Sequence, residues 1–557
     1  MLNFNDGLPA IIQPDHATIK PRDRTHLGAY LIRYPLHRSR ELSVNRRCNP
    51  LIAMLFIAPE MVLGQGNDTP DNHRPISSIY EQLISKASEA VKYPAGESAS
   101  RISLESPKIT PTVWANIRFR SQPMPWGSSP LNSPIQLDYP APFLPFRTRF
   151  FCADHAIATE VPFSNLLFAW PNKSIKKAPE TIKGFSGIRL LTPISTLDKT
   201  EQSWMMFLGD KSIRGKSLDA TYGSFARLLG SSQKAQADAT EIAGLSEIYI
   251  ERVNTDGDPE IINGWVDNEA MVGAVRFSIS KNTIEVTQEV EATLFMRQDI
   301  GSMDFSPLGS SFSFNESDRK IRADIHPELQ DADGALIQDG EQRRIFRPLR
   351  SPSEPIASII PVHNLKGFGL LQRDREPEHY LDLSRPETRA SVWVEPISPF
   401  GPGEIRLNEV PYEEISSENI QMVWRSQRSF RIGETVHLHY RIHWTQGEPK
   451  TELARCIATH IGRLTRQGQD KSPIPYRFRI EFDRVQNLPK NLEDMNVITN
   501  ASRGKFLFQR LIQNAASDRF FIEADYLPDE KPIADVELTL KRHDTAISET
   551  WRYRISE

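Results

Sequence analysis

The sequence lacks the features that define several common classes of protein. Its three cysteines, Cys48, Cys152 and Cys456, show no C-x-x-C spacing and are too few for a disulfide scaffold or a cysteine-based zinc site. Neither sign of charge dominates, with 67 Lys and Arg against 71 Asp and Glu. A dedicated nucleic-acid-binding protein is therefore disfavoured, because phosphate contacts need concentrated positive charge. Walker loops and G-x-S-x-G hydrolase elbows are also missing.

What remains is an ordinary globular composition, with 39% hydrophobic and 25% charged residues in a chain of 557. Proline is abundant, at 41 residues against 29 glycines. Because proline ends helices and is confined to strand edges and turns, this composition favours many short strands joined by ordered loops. The length allows two to four domains.

The first seventy residues differ from the rest of the chain. Arg46-Arg47 precedes a short apolar run at residues 51–58, an order typical of a secretory signal, here of the twin-arginine type and spanning about residues 42–65. The run is too short to cross a bilayer, which takes about twenty apolar residues. Because more than forty residues precede it, we expect residues 1–70 to be a mis-started leader plus a signal peptide. The alternative is an ordinary buried segment.

Hydrophobic periodicity predicts one helix followed by a long series of strands. Residues 77–93 carry Ile79, Leu83 and Ala87 on one stripe, as in an amphipathic helix. From about Val113 onward, short apolar and polar alternations with a period of two are punctuated by Pro, Gly, Asn and Asp. Since no long helices separate these segments, the pattern predicts a mainly all-β chain built on a large antiparallel sandwich, rather than a parallel α/β sheet.

A polar stretch at residues 463–472 interrupts the series of strands, and further strands follow it. The length and strand density of this last part suit an immunoglobulin-like sandwich. We therefore predict a β-sandwich domain over residues 71–462 and an immunoglobulin-like domain over residues 463–557.

Three histidines, His437, His439 and His443, lie on one face of a predicted strand at a spacing that a metal ion could use. No cysteine or carboxylate is arranged with them in the sequence, so a structural role on a half-solvated strand is favoured. The stretch Asp331-Ala-Asp333-Gly334 begins like a calcium loop, but its glycine comes two positions too early for an EF-hand. We expect neither a metal nor a cofactor.

The most informative part of the sequence runs from residue 367 to residue 411. It combines the segments GFGLLQRD, YLDL, SVWVEP and EVP, which are rich in carboxylates and aromatic rings. Aromatic faces stack on sugar C–H surfaces, while carboxylates and arginines hydrogen-bond to hydroxyls, so this mixture suits carbohydrate binding. The alternative is a buried core with a solvated rim, which such runs also form.

This run resembles the periplasmic glucan biosynthesis proteins G and D. Further matches occur in the same order along nearly all of the chain after the leader: residues 184–193, 222–227, 250–252, 306–308, 347–349 and 548–551. The resemblance implies a galactose-mutarotase-like β-sandwich with a long cleft, followed by an immunoglobulin-like domain. It also implies a periplasmic protein needed for osmoregulated glucans, with β-glucan and the membrane-bound glucan synthesis machinery as partners and no nucleic acid.

The resemblance further implies an inverting glycoside hydrolase or transglycosylase that acts on β-1,2-glucan. Such chemistry needs one carboxylate to activate water and one carboxyl group to deliver a proton. The family's base corresponds to Asp331 and its acid to Glu418, where the family has an aspartate. Glutamate reaches about 1 Å further, which alters the alignment for proton delivery. Glu413 and Glu414 are alternative acids, and a non-catalytic glucan-binding or assembly factor with the same fold is the alternative function.

The resemblance also implies a set of residues that shape the cleft and bind substrate, and these are Arg373, Tyr380, Asp382, Trp393, Glu395 and Trp424. Four positions depart from the family pattern: Ser313, His326, Gln330 and Arg344. Because two of them replace aromatic residues, we expect fewer stacking platforms for glucose units and an altered cleft lining.

Overall fold

The structure, a computed structural model, describes residues 78–95, 109–120, 132–141, 143–144, 146–171, 177, 184–192, 202–209, 212–232, 241–318, 325–340, 343–413, 418–465, 473–483, 494–513, 519–530 and 533–556. The predicted leader and signal segment lies outside the described residues. So does Glu414, one of the alternative acids.

The predicted helix is confirmed as α1, Ile79–Ala90. Its N-terminus carries a capping box, in which the Ser78 hydroxyl accepts from the Glu81 amide and the Glu81 carboxylate accepts from the Ser78 amide. The apolar stripe of α1 is buried against strands of the large sheet, next to Trp265. A second, shorter helix, α2, spans Pro111–Ala115. Within the described part of the chain, neither helix has the length and apolar character that crossing a bilayer takes.

Strands make up most of the described structure, and the prediction of an all-β protein is confirmed. Most strands either alternate buried and more exposed side chains or are buried throughout. One or both faces of such a strand therefore lie in the core. The strands are β1 Arg118–Phe119, β2 Ile135–Asp138, β3 Arg149–Asp154, β4 Ile157–Val161, β5 Phe168–Ala169, β6 Gly187–Leu191, β7 Ser203–Leu208, β8 Ser212–Gly215, β9 Phe225–Ala226, β10 Leu229–Ser232, β11 Glu241–Ile242, β12 Leu245–Glu251, β13 Glu260–Asp267, β14 Met271–Lys281, β15 Glu285–Met296, β16 Ser302–Ser310, β17 Phe312–Phe314, β18 Leu329–Gln330, β19 Gly334–Asp339, β20 Arg343–Pro348, β21 Ile356–Val362, β22 Leu365–Leu371, β23 Ser391–Pro396, β24 Gly403–Glu409, β25 Ile420–Ser426, β26 Thr435–Thr445, β27 Cys456–Arg463, β28 Tyr476–Phe482, β29 Met495–Ala501, β30 Lys505–Gln513, β31 Phe520–Leu527, β32 Ala534–Arg542, β33 Thr545–Ala546 and β34 Thr550–Ile555.

Two large sheets dominate the architecture. One has eleven strands in the order β2-β6-β7-β8-β9-β16-β25-β24-β21, with β10 paired to β16 and β11 paired to β10. The other has fifteen strands in the order β29-β32-β34-β20-β19-β22-β23-β26-β15-β14-β13-β12-β3-β4, with β33 attached to β32. The largest hydrophobic cluster draws residues from both sheets, and Phe207 of β7 meets Phe277 of β14 edge to face, with ring centroids 5.2 Å apart. The core therefore lies between the two sheets.

A second hydrophobic cluster joins the C-terminal strands, through residues such as Phe478, Tyr526 and Trp551, to residues of β19, β20, β22 and β23. Strands β27, β28, β31 and β30 form a four-stranded sheet, so β27 groups with the C-terminal strands by its pairing. The other C-terminal strands continue the fifteen-stranded sheet, because β34 pairs in parallel with β20, Thr550 opposite Ile345. The predicted domain boundary and the mutarotase-like and immunoglobulin-like assignments stay predictions.

Candidate functional site

Asp331, the predicted base, follows β18 and is 5% exposed. Its amide donates to the carbonyl of Ser311 at 2.8 Å, which fixes the backbone. Its Oδ1 lies 2.9 Å from Nη1 of Arg389, a guanidinium that also donates to the carbonyl of Gln330. The guanidinium thus fixes the orientation of the carboxylate that would act as a general base.

Glu418, the predicted acid, lies just before β25 and faces two arginines. Oε2 is 3.1 Å from Nη2 of Arg227, and Oε1 is 3.6 Å from Nη2 of Arg214. Both guanidinium groups also lie over the ring of Phe225, 4.8 and 4.9 Å from its centroid. Glu418 lines a pocket of about 520 Å³ together with Asn408. Positive charge on both carboxylate oxygens favours the ionised form, so proton delivery would require at least one arginine to move away.

The structure links Asp331 and the neighbour of Glu418 to two adjacent residues, Ser311 and Phe312. Asp331 is held by the Ser311 carbonyl, and the side chain of Asn419, next to Glu418, accepts from the Phe312 amide and donates to its carbonyl, both at 2.8 Å. Asp331 and Glu418 therefore border the same region of the sandwich.

A second connection between the two residues runs through Gly223. Its carbonyl accepts from Nη1 of Arg214 at 3.0 Å. A side chain at this position would meet the Ala390 carbonyl at 2.6 Å and Cβ of Arg389 at 3.1 Å. Only glycine allows this approach, so Gly223 sets the spacing between the arginine of Glu418 and the arginine of Asp331.

A cluster of buried carboxylates lies beside Asp331 and was not found from the sequence. Asp333 accepts from the backbone amides of Arg373 and Asp374, the second at 2.7 Å, and from the Gln330 side chain at 2.9 Å. Burial raises the pKa of Asp333 to about 6. Burial also raises the pKa of Glu328 to about 7, although the Gln330 amide donates to it at 2.9 Å. The signal was present in the sequence as the density of carboxylates between residues 328 and 333.

Tyr380, a predicted substrate-binding residue, is fully buried in the same cluster. Its hydroxyl accepts a hydrogen bond from the side-chain amide of Gln372 at 2.6 Å and donates one to the Asp374 carbonyl at 3.1 Å. Burial raises its pKa, with Asp333 contributing further. In this position Tyr380 supports the backbone that holds Asp333.

Arg373, another predicted substrate-binding residue, belongs to a buried ion-pair network. Its guanidinium donates to Glu549 at 2.8 Å and to Glu448 at 2.7 Å. Arg344, the departure from the family pattern, donates to the same two carboxylates at 2.6 and 2.7 Å. The network joins β20 and the segment after β22 to the C-terminal strands, and it presents no free guanidinium face to the Glu418 pocket.

The remaining predicted residues have structural contacts of their own. Trp393 and Trp424 are 5% and 1% exposed and pack in the hydrophobic clusters, so neither ring faces solvent. Glu395 lies on the fifteen-stranded sheet and contacts His443 at 3.3 Å. Asp382 accepts from the amide and hydroxyl of Ser384, both at 2.8 Å, in a loop. Their contact with substrate stays a prediction.

The expectation that no carboxylate accompanies the strand histidines is wrong. Strand β15 pairs with β26 and places Glu289 2.8 Å from Nε2 of His439. Strand β23 also pairs with β26 and places Glu395 3.3 Å from Nε2 of His443. The sequence could not show these contacts because the partners come from other strands, more than forty residues away.

With this geometry in view, the comparison with known families is decisive. The model of the periplasmic glucan biosynthesis protein MdoG matches residues 79–555. The chain belongs to this family. It is 28% identical over 529 residues to glucans biosynthesis protein D 2 of Ralstonia nicotianae, covering 92% of this chain and 97% of that protein. It is 25% identical over 506 residues to glucans biosynthesis protein G 2 of Shewanella oneidensis, covering 90% and 93%.

Membership in the MdoG family supports a role in periplasmic glucan biosynthesis, and the family name implies the periplasm. Glucans biosynthesis protein G of Vibrio cholerae is a further relative, 27% identical over 86% of this chain and 85% of that protein. Among solved structures, a polysaccharide lyase aligns at a TM-score of 0.23 and 10% identity over 67% of this chain and 44% of that chain, which is too low to support an argument.

Proposed function

We propose that this member of the MdoG family is an inverting glycoside hydrolase or transglycosylase that acts on β-1,2-glucan, with Asp331 as the base and Glu418 as the acid. The observation that supports the proposal is that Asp331 and Asn419, the neighbour of Glu418, bind the adjacent residues Ser311 and Phe312, with Glu418 lining a pocket of about 520 Å³. Two carboxyl groups on opposite sides of a bound sugar are the minimum that inverting hydrolysis needs.

In this proposal Asp331 removes a proton from the attacking water, or from a sugar hydroxyl in transfer. Arg389 holds the carboxylate in position for that transfer. Once glucan displaces Arg227, which lies in the same pocket, Glu418 takes up a proton from solvent and then gives that proton to the departing glycosidic oxygen. Loss of one guanidinium removes part of the charge that holds Glu418 ionised.

Substitution of the two carboxylates tests the assignment. Asp331→Asn and Glu418→Gln should each abolish product formation from linear β-1,2-glucan, while Glu413→Gln, at an exposed residue, should keep it. Thermal unfolding of each variant controls for folding. Unchanged turnover in both Asp331→Asn and Glu418→Gln would refute the assignment.

A second candidate function is a non-catalytic glucan-binding or assembly factor. The observation that favours it is the double pairing of Glu418 with Arg214 and Arg227, which suits a carboxylate that accepts hydrogen bonds from sugar hydroxyls. Calorimetric binding of β-1,2-glucan with no change in product masses after long incubation would support this candidate over the enzyme.

We also infer that residues 42–65 act as the export signal. The exported protein then acts next to the membrane-bound glucan synthesis machinery. The support is the family's periplasmic name together with the Arg46-Arg47 and apolar order in the sequence. N-terminal sequencing of the protein from the periplasmic fraction tests the inference, and a mature chain that still begins near Met1 would contradict it.

A further inference from the structure

A pocket of about 420 Å³ lies between the first part of the chain and the C-terminal strands, separate from the Glu418 pocket. Its lining includes Glu316, Glu328, Asp374, His379 and His460. One ligand atom from each of Glu328, Asp374 and His379 lies within 4.8 Å of the other two. Nδ1 of His379 is 2.5 Å from Oδ2 of Asp374. An imidazole and two carboxylates at this spacing are a donor set that a divalent ion can bridge.

The charge around this pocket is poorly balanced by protein groups. Glu328 is 3% exposed, and among the described residues it makes no ion pair with lysine or arginine. Several other deeply buried acids are paired, as Glu409 is with Arg347 and Asp304 with Arg425, whereas the neighbouring Asp333 has recorded hydrogen bonds only. A buried carboxylate without a cation is costly unless it is protonated or binds a metal.

The arginines that line the pocket form ion pairs or hydrogen bonds with other groups. Arg373 pairs with Glu549, Arg375 donates to the backbone carbonyls of Glu387 and Arg389, and Arg519 pairs with Glu481. The recorded ion pair of Asp374 is with His379, so a lysine or arginine partner is recorded for neither Glu328 nor Asp374 in the described structure.

Gln330 supplies a second, independent observation. Its side chain is 98% buried because the residue is only 2% exposed, and its Nε2 donates to Glu328 at 2.9 Å. The same Nε2 also donates to Asp333 at 2.9 Å, while the amide oxygen has no hydrogen-bond partner among the described residues. A buried acceptor without a donor, on the residue that contacts Glu328, is the kind of group that a bound water or ion satisfies.

We propose that Glu328, Asp374 and His379 bind a divalent transition-metal ion, such as Zn²⁺, at the edge of this pocket. The imidazole favours Zn²⁺ over Mg²⁺ or Ca²⁺, which prefer oxygen ligands alone. Ligand distances of about 2.0–2.2 Å require the contact between His379 and Asp374 to lengthen slightly. The coordination positions that the protein leaves open face the pocket, where water completes the shell.

The other group of described residues that could hold a metal, Glu289, Glu291 and His439, is a weaker candidate and serves as a control. Arg441 already donates to Glu289 at 2.9 Å, so a positive charge competes for the carboxylate. This group also lies on a partly exposed sheet face, where carboxylates stay hydrated without an ion.

Titration calorimetry of the full chain, stripped with a chelator and titrated with Zn²⁺ alone, tests the proposal. We expect one equivalent to bind, and we expect Glu328→Gln and His379→Gln each to weaken binding by about tenfold or more. Glu289→Gln and Glu376→Gln, the second at an exposed residue on the same pocket, should bind as the parent does. His379 is half exposed, so its variant should fold, which circular dichroism checks.

Two results would overturn the proposal. One is the absence of Zn²⁺ binding by the folded, stripped chain, in which case Glu328 is simply protonated. The other is binding that neither Glu328→Gln nor His379→Gln weakens, which would place the ion elsewhere. Neither result depends on glucan turnover, so this experiment tests the metal site independently of the proposed enzyme function.

Discussion

The buried ion-pair network around Glu549 offers a stability prediction that follows directly from its contacts. Glu549 is fully buried and accepts from Nε of Arg344 at 2.6 Å, from both terminal nitrogens of Arg373 at 2.8 Å, and from the Cys456 amide at 3.1 Å. Glu549→Gln removes the charge and places N–H donors against two guanidinium groups. Breaking a buried ion pair in this way costs about 3–5 kcal/mol.

Hydrogen–deuterium exchange measures this cost locally, which suits a chain with more than one hydrophobic cluster. A loss of about 4 kcal/mol corresponds to roughly a thousandfold faster exchange through opening of β27 and β34. Arg431→Gln is the matched control, because its pair with Asp299 is exposed and should leave exchange unchanged. Exchange in Glu549→Gln no faster than in this control would refute the reasoning, since the network would then hold nothing in place.

Three further predictions concern the region around Asp331 and Glu418 and the pocket that Glu316 and Glu328 line. Arg227→Gln removes one of the two charges beside Glu418 in the free enzyme, so kcat/KM of an active enzyme should persist to higher pH, and a pH profile of kcat/KM identical to that of the parent would argue against Glu418 as the acid. Gly223→Ala should destabilise the protein by about 1–3 kcal/mol in urea unfolding, because the new methyl group meets the Ala390 carbonyl. Burial raises the pKa of Glu316 to about 8, so the folded state binds this proton more tightly than the unfolded chain, and stability falls as pH rises from about 5 to 8. Glu316→Gln in the presence of a chelator should therefore show a flatter dependence of its unfolding midpoint over this range, and an unchanged slope would contradict the burial argument.

Much of the fold follows from local pattern. Helix α1 is predictable because its apolar stripe and its capping residues lie within one short segment. The all-β class is predictable because alternation with a period of two depends only on neighbouring residues. The order of strands in the sheets is not, since the parallel pairing of β34 with β20 joins residues about two hundred positions apart.

The candidate site shows the same limit. The family motifs locate Asp331 and Glu418, but the arginines that pair with them come from distant strands and loops, as Arg389 and Arg227 do. Trp424 looks like a binding residue in the sequence, yet an aromatic residue in a strand fills the core as readily as a cleft. The sequence did not identify Glu328, because its unusual feature is that no lysine or arginine pairs with it among the described residues, and only the folded chain shows this.

The central claim is that this protein changes the length or linkage of β-1,2-glucan chains. Mass spectrometry of linear β-1,2-glucan after incubation with the purified protein tests it most directly. The account predicts shorter chains if water is the acceptor, or cyclised and rearranged chains if a sugar hydroxyl is the acceptor, and none of these products with Asp331→Asn. Unchanged masses from a folded protein that binds the glucan would contradict the claim and leave the arginine-paired carboxylates as a binding site.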